Sequence, residues 1–233
     1  MSNDPFTTDD GWWPPEDQNS TAPRLPKGPA TEQVPGFAGL RAVNLKSAKK
    51  AMMDRYKLNA AFPNAGREPT GIVELDRLTR LAPGTLTIIG GRQGSGKSAL
   101  GLQIARAIAH RGPVLYVLTE MTLEQVITRI VANTAHVPAW QVLNGAHPDL
   151  LRTVEETLDW LAAQTALTIV EAQMEPVKDL IPRIRQFVQA RGGVRAVFVD
   201  NLYGVAMSSR MMDRDGIGYI AKAFSVLAGD EES

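Results

Sequence analysis

Eight consecutive residues carry the clearest chemistry: Gly91-Arg92-Gln93-Gly94-Ser95-Gly96-Lys97-Ser98 matches the spacing G-x-x-x-x-G-K-[ST] of a phosphate-binding P-loop. Glycines at 91, 94 and 96 permit positive φ and bring successive backbone N–H groups close to phosphate oxygens, with a following helix N-terminus aimed at the same charge. Ser95 sits inside that cradle. Lys97 adds a point charge for the β and γ phosphates, and Ser98 a small hydroxyl able to ligate Mg²⁺. The residues read as a nucleotide site. An ordinary glycine-rich turn is the competing reading, and a flanking strand and helix weigh against it.

Two carboxylates are candidates to complete the site. Glu120 follows the apolar run Val114–Leu118, just past a strand end, on the rim where open α/β sheets bind ligands. There it would orient or deprotonate the water attacking a γ-phosphate. The alternative is a carboxylate serving the N-terminus of the next helix. Asp200 closes the run Ala196-Val197-Phe198-Val199, and an aspartate there, called Walker B in P-loop enzymes, holds Mg²⁺.

The elements that must position these groups follow from periodicity. Leu86–Ile89 reads as a strand into the P-loop, and Leu100, Ile104 and Ile108 as the helix after it. Val114–Leu118 reads as a second, buried strand, and Leu167–Val170 and Ala196–Asp200 as a third and a fourth strand. Thr122-Leu123-Glu124-Gln125 fits a capping box opening a helix lined by Leu123, Val126, Ile127, Ile130 and Val131. A short segment from Val137 ends near Asn144-Gly145, and Leu151, Val154, Leu158 and Leu161 line another helix. Leu180, Ile181, Ile184 and Val188 mark a helix with Pro182 in its first turn and Gly192-Gly193 at its close. Tyr203 to Gly216 reads as a loop holding Arg210 and Arg214. Ile217, Ile220, Ala221, Phe224 and Leu227 define a last helix stopped by Gly229. His136 and His147 lack a completing ligand set and read as structural or surface residues.

Before this domain, Met1 to about residue 38 has the Pro- and Asp-rich composition of a disordered tail, in which Trp12-Trp13 is either linker sequence or a docking element. Residues 39–66 read as an amphipathic linker helix and turn, with Leu45, Ala48, Met52 and Tyr56 at helical spacing and a basic opposite face, either solvated or a nucleic-acid contact. A helix this short needs a partner surface for its apolar side. The folded domain occupies 67–233. Lys+Arg and Asp+Glu are both 25, so no global field selects a polyanion, and the absence of cysteine excludes disulfides and thiolate chemistry. No stretch is long and apolar enough to span a bilayer and no secretory signal is present, so a cytoplasmic protein is expected.

In order, Thr70-Gly71-Ile72 with Leu75-Asp76, Pro83-Gly84-Thr85-Leu86, the P-loop, Leu118-Thr119-Glu120-Met121, Arg129, Leu143-Asn144-Gly145 and Val199-Asp200-Asn201-Leu202 resemble the ATPase domain of DnaB-type replicative helicases. The Thr-Glu-Met is the most discriminating piece. The resemblance implies an α/β, RecA-like P-loop NTPase core with a mainly parallel sheet flanked by helices. It also implies a ring, a hexamer, around single-stranded DNA, with ATP and Mg²⁺ at subunit boundaries. By matching position Lys97 and Ser98 bind phosphates and Mg²⁺, Glu120 is the base and Asp200 the Walker B acid. Residues 40–61 would be the linker helix docking on a neighbour, and Tyr203–Arg214 a DNA-facing loop with Arg210 and Arg214 as contacts. Asn201 stands where the family usually has Tyr, and Gly-Ser-Gly-Lys-Ser where it often has Ser-Met-Gly-Lys-Thr.

Family members continue past this last helix into strands carrying a γ-phosphate sensor and an arginine finger, so the core is expected to be incomplete at its C-terminal end. A finger is worth about 10³ to 10⁵ in turnover in other P-loop enzymes. Three functions follow. The chain is a DNA-dependent ATPase and helicase motor, a non-hydrolysing or regulatory ATP-binding remnant that joins partner helicase subunits, or a RecA-like recombinase or loader.

Overall fold

The computed structural model describes residues 31–32, 42–43, 45–61, 66–134, 136–144, 150–163 and 166–230. Most of the N-terminal tail, Gly145, His147 and the start of the turn after the linker helix lie outside them. The chain divides into two units, Met1–Arg67 (with Ser233) and Glu68–Glu232.

In the first unit, β1 (Thr31–Glu32) pairs antiparallel with β2 (Ala42–Val43). Of these four residues, Thr31 and Glu32 fall within the segment to residue 38 expected to be unstructured. Helix α1 spans Leu45–Ala61. Met52 and Tyr56, two of the expected inner stripe, are exposed, because the lysines and alanines interspersed along the helix leave no continuous apolar face to bury.

The second unit contains α2 (Val73–Leu78), α3 (Lys97–Ala109), β3 (Val114–Leu118), α4 (Leu123–Thr134), α5 (Ala139–Leu143) and α6 (Leu150–Ala163). β4 (Leu167–Glu171), α7 (Val177–Ala190), β5 (Ala196–Asp200), α8 (Leu202–Ser208) and α9 (Arg214–Asp230) follow. The sheet is parallel, in the order β4-β3-β5. β3 is buried along its whole length, as a central strand covered on both faces must be.

Side chains alternate across a strand, and here the alternation feeds two cores. Leu115 and Val117 join Leu180, Ile184 and Val188 of α7, Val205 and Ala206 of α8, and Ile220, Phe224 and Leu227 of α9. Val114, Tyr116 and Leu118 face the other way, onto Leu102, Ala105 and Ile108 of α3 and Val126 and Ile130 of α4. Tyr116 stacks on Phe198, its register partner in β5, with ring centroids 5.5 Å apart.

Local signals account for several boundaries. The capping box is reciprocal: Thr122 N donates to Gln125 Oε1 at 3.2 Å and Gln125 N to Thr122 Oγ1 at 3.3 Å. α7 ends in a Schellman pattern, with Gly192 N bonded to Gln189 O and Gly193 N to Val188 O. Glu68 ties the start of the unit to the sheet by pairing with Arg111 and Arg195.

Five expectations are corrected. Leu86–Ile89 is not a strand: it is exposed and, among the described residues, its backbone pairs with nothing, so its β-branched composition has no ladder to join. Tyr203–Gly216 is not one loop, because Asn201 caps α8 and buries Val205 and Ala206, leaving only Ser209–Asp213 between helices. Pro182 lies inside α7 beyond the first turn, since the helix begins at Val177, whose side chain is buried. α9 runs through Gly229 to Asp230. Leu123, Leu151 and Leu158 are exposed, and α6 turns Thr157 inward instead.

Thr157 is 1% exposed and its hydroxyl has no partner among the described residues. Burying an unbonded hydroxyl costs about 1–3 kcal/mol. Thr157→Val, of nearly equal shape, should therefore raise stability by about 1 kcal/mol in urea denaturation, and a loss would show that the hydroxyl is bonded in solution.

Candidate nucleotide-binding site

Helix α3 begins inside the P-loop. Its cap residue Gly96 has φ 88°, and Gly94 has φ 75°, both left-handed conformations that favour glycine. A Cβ on either would meet open space, so the cradle needs these glycines for backbone direction and stays open to a ligand. Gly91 differs from expectation: its φ is not positive, and a Cβ there would lie 2.6 Å from Ser95 Oγ. A side chain there would oblige the Ser95 hydroxyl to turn away. Lys97 Nζ donates to the loop carbonyls of Gly91, at 3.0 Å, and Arg92, at 2.8 Å. The ammonium is thus held on the cradle's own rim.

Ser98, one residue further into α3, donates from Oγ to Asp200 Oδ1 at 3.1 Å. The P-loop hydroxyl and the β5 carboxylate, 102 residues apart in sequence, meet at one point. Tyr116 donates to the other oxygen, Asp200 Oδ2, at 3.0 Å. Burial, with the Asp200 carboxylate beside it, pushes the Tyr116 phenol well above its ordinary value, so it is a hydrogen-bond donor throughout the neutral range. A small cavity borders Ser98, Leu102, Tyr116, Met121, Arg129 and Asp200.

Glu120 lies exposed immediately beyond β3. At the start of helix α4, Leu123 N donates to Glu171 Oε1 rather than to Glu120. Glu120 Oε2 accepts from Asn201 Nδ2. Asn201 Oδ1 in turn accepts from Gly204 N at 2.9 Å, capping α8. Thr119 Oγ1 bonds both Asn201 N and Asn201 O at 2.7 Å. Tyr116, Thr119 and Asn201 were not singled out as site residues from sequence. The signals in the sequence were the place of Thr119 in the Thr-Glu-Met and the departure at Asn201 from the family's usual Tyr.

Arg210 and Arg214 lie away from this cluster in chain terms, at the end of α8 and the start of α9. Both are exposed. Arg210 has φ 56°, with its N–H bonded to Met207 O and that of Met211 to Ala206 O, a helix-ending turn in which glycine is the unstrained residue.

The donor set suits a magnesium nucleotide. A hydroxyl and a carboxylate oxygen 3.1 Å apart are hard oxygen ligands, and the open left-handed glycines with Lys97 beside them suit an anionic phosphate. A glycine-rich loop leading into a helix beside a parallel sheet, with a carboxylate at a strand end, defines an α/β protein of the P-loop nucleotide-binding class.

Comparison with known proteins narrows the class. Residues 68–232 match the DnaB-like helicase C terminal domain family, and the chain belongs to that family. The replicative DNA helicase DnaB of Leifsonia xyli is 28% identical over 164 residues, which cover 69% of this chain and 36% of that one. DnaB of Haemophilus influenzae is 27% identical over 138 residues, 57% of this chain and 30% of the relative. The DNA repair protein RadA of a Synechocystis strain is 45% identical over a shorter stretch of 69 residues. A solved structure of a DnaB-like replicative helicase, described with its interactions with primase, has the same fold, with a TM-score of 0.61 at 18% identity, over 80% of this chain and 51% of that one. The chain spans about a third of the length of the two DnaB relatives. Among the described residues no helix is long and apolar enough to cross a membrane.

Because the Tyr116 phenol is raised in the fold, its contribution to stability is complete below about pH 10 and is lost as pH rises above that value, where the unfolded tyrosine ionises first. The stability of the wild type should fall with pH above 10 by up to about 1.4 kcal/mol per unit more steeply than that of Tyr116→Phe. Parallel slopes in alkaline denaturation curves would show that the hydroxyl is not sequestered.

Proposed function

We propose that this chain is the ATP-hydrolysing motor domain of a DnaB-like replicative helicase acting on single-stranded DNA. The observation that carries the reading is the meeting of Ser98 with Asp200 beside the P-loop, with Glu120 beyond the end of the adjacent strand. Gly91, Gly94, Ser95, Gly96 and Lys97 would bind the phosphates, and Ser98 with Asp200 would hold Mg²⁺. Mg²⁺, when bound, would supply neutralisation of phosphate charge. Glu120, exposed and with Oε1 unbonded among the described residues, would accept the proton of the attacking water.

Arg210 and Arg214 are proposed DNA contacts. Arginine at 210 occupies a left-handed position where glycine would be less strained, which fits a side chain kept for what it touches. The proposed assembly is a ring, a hexamer of this chain or with partner helicase subunits, in which α1 docks its exposed Met52 and Tyr56 on a neighbour and an arginine is supplied across the boundary. The cytoplasm is the proposed location.

The test is Mg²⁺-dependent ATP hydrolysis with and without single-stranded DNA. Lys97→Ala should abolish binding of a fluorescent ATP analogue, and Glu120→Gln should bind it normally while losing about 10²-fold or more in turnover. Binding without turnover in the wild type would favour a regulatory, non-hydrolysing role. Arg210→Gly should leave the fold as stable as the wild type, or more stable by up to about 1 kcal/mol, yet reduce stimulation by DNA. Unchanged stimulation would remove Arg210 from the interface.

A further inference from the structure

We propose that Asn201 is a positioning residue that sets the carboxylate of Glu120, an inference resting on the reading of Glu120 as the base. Glu120 is exposed, and an unrestrained glutamate there would sample several rotamers. One of its oxygens, Oε2, is instead taken by Asn201 Nδ2, which orients the carboxylate and leaves Oε1 to receive a proton.

Asn201 can do this because its own position is over-determined. Its backbone N–H and carbonyl are both bonded to Thr119 Oγ1, at 2.7 Å each, and Thr119 is 5% exposed. Its Oδ1 accepts from Gly204 N, so the amide cannot rotate without uncapping α8. Gly204 lets α8 seat on Thr119: a Cβ there would lie 2.6 Å from Thr119 Oγ1 and 2.7 Å from Thr119 O. Thr119 N is bonded to Asp200 O at 2.9 Å, which joins the two strand ends directly. The residue before Glu120 and the residue after Asp200 are thus latched, and the latch sets where Glu120 lies relative to Ser98 and Asp200. Asparagine has the two functions required, an acceptor for the helix cap and a donor for the carboxylate, on one short planar group.

Two substitutions separate these functions. Asn201→Asp keeps the cap acceptor and the shape but turns an oxygen toward Glu120, and Asn201→Ser keeps a good cap but falls short of the carboxylate. Steady-state ATP hydrolysis by the full chain with Mg²⁺ and single-stranded DNA is the measurement, with thermal melting and binding of a fluorescent ATP analogue to verify fold and cradle. The expected result is a fall in kcat of about ten- to a hundredfold for both variants, larger for Asn201→Asp, with KM for ATP within about threefold of wild type. In a Glu120→Gln background Asn201→Asp should cost nothing further, since a residue acting only through Glu120 has nothing left to position. Wild-type kcat in both variants, or an equal additional loss in the Glu120→Gln background, would overturn the assignment of Asn201 alone. A wild-type chain without turnover, or full turnover in Glu120→Gln, would overturn the reading of Glu120 and the inference with it.

Discussion

The site depends on the parallel, unstaggered pairing of β3 with β5. Leu118 sits opposite Asp200, and one further bond, Thr119 N to Asp200 O, carries the pairing past the strand ends. A slip by one residue would turn Asp200 to the opposite face of the sheet, away from Ser98 and Tyr116. Register is resistant to such a slip because β3 is buried on both faces: a shift would exchange the side chains that fill the two cores.

Those cores also place the P-loop. Helix α3 packs Leu102, Ala105 and Ile108 onto the sheet face that carries Tyr116, and this seats the helix start, with Lys97 and Ser98, over the end of β5. Tyr116 contributes to both packing and polarity: its ring stacks on Phe198 while its hydroxyl reaches Asp200. Gly101 leaves room for that hydroxyl, since a Cβ there would stand 3.2 Å from it. The half-buried Asp200 carboxylate is therefore bonded on both oxygens, by Ser98 and Tyr116, before any ligand arrives. Such prior organisation is how a site avoids reorganisation during reaction.

The opposite core positions the other half of the site. Val205 and Ala206 are buried, α8 is capped by Asn201, and its first turn lies directly against Thr119. Asn201 therefore links the packing of α8 to the carboxylate of Glu120. Beyond α8 a single left-handed arginine and a short turn lead into α9 and the exposed Arg214.

Features encoded within a few residues were legible without a fold. The P-loop spacing, the Thr122–Gln125 capping box, the paired glycines after α7 and the three strands, of which β3 is fully buried, all rest on local backbone preference or on burial periodicity. Three misread segments share one cause. Leu86–Ile89 has strand composition but lacks a partner ladder here, Leu202–Ser208 lacks an obvious period but gains a cap and a buried face, and α6 buries Thr157 where leucines were expected. In the first, no partner ladder forms among the described residues; in the other two, burial against elements distant in sequence outweighed the local tendency. Sequence by itself determined which chemical groups the chain possesses and most of the elements that carry them. The partners of those groups, Ser98 and Tyr116 on Asp200 and Asn201 on Glu120, lie between 81 and 102 residues apart, and only strand order and register decided them.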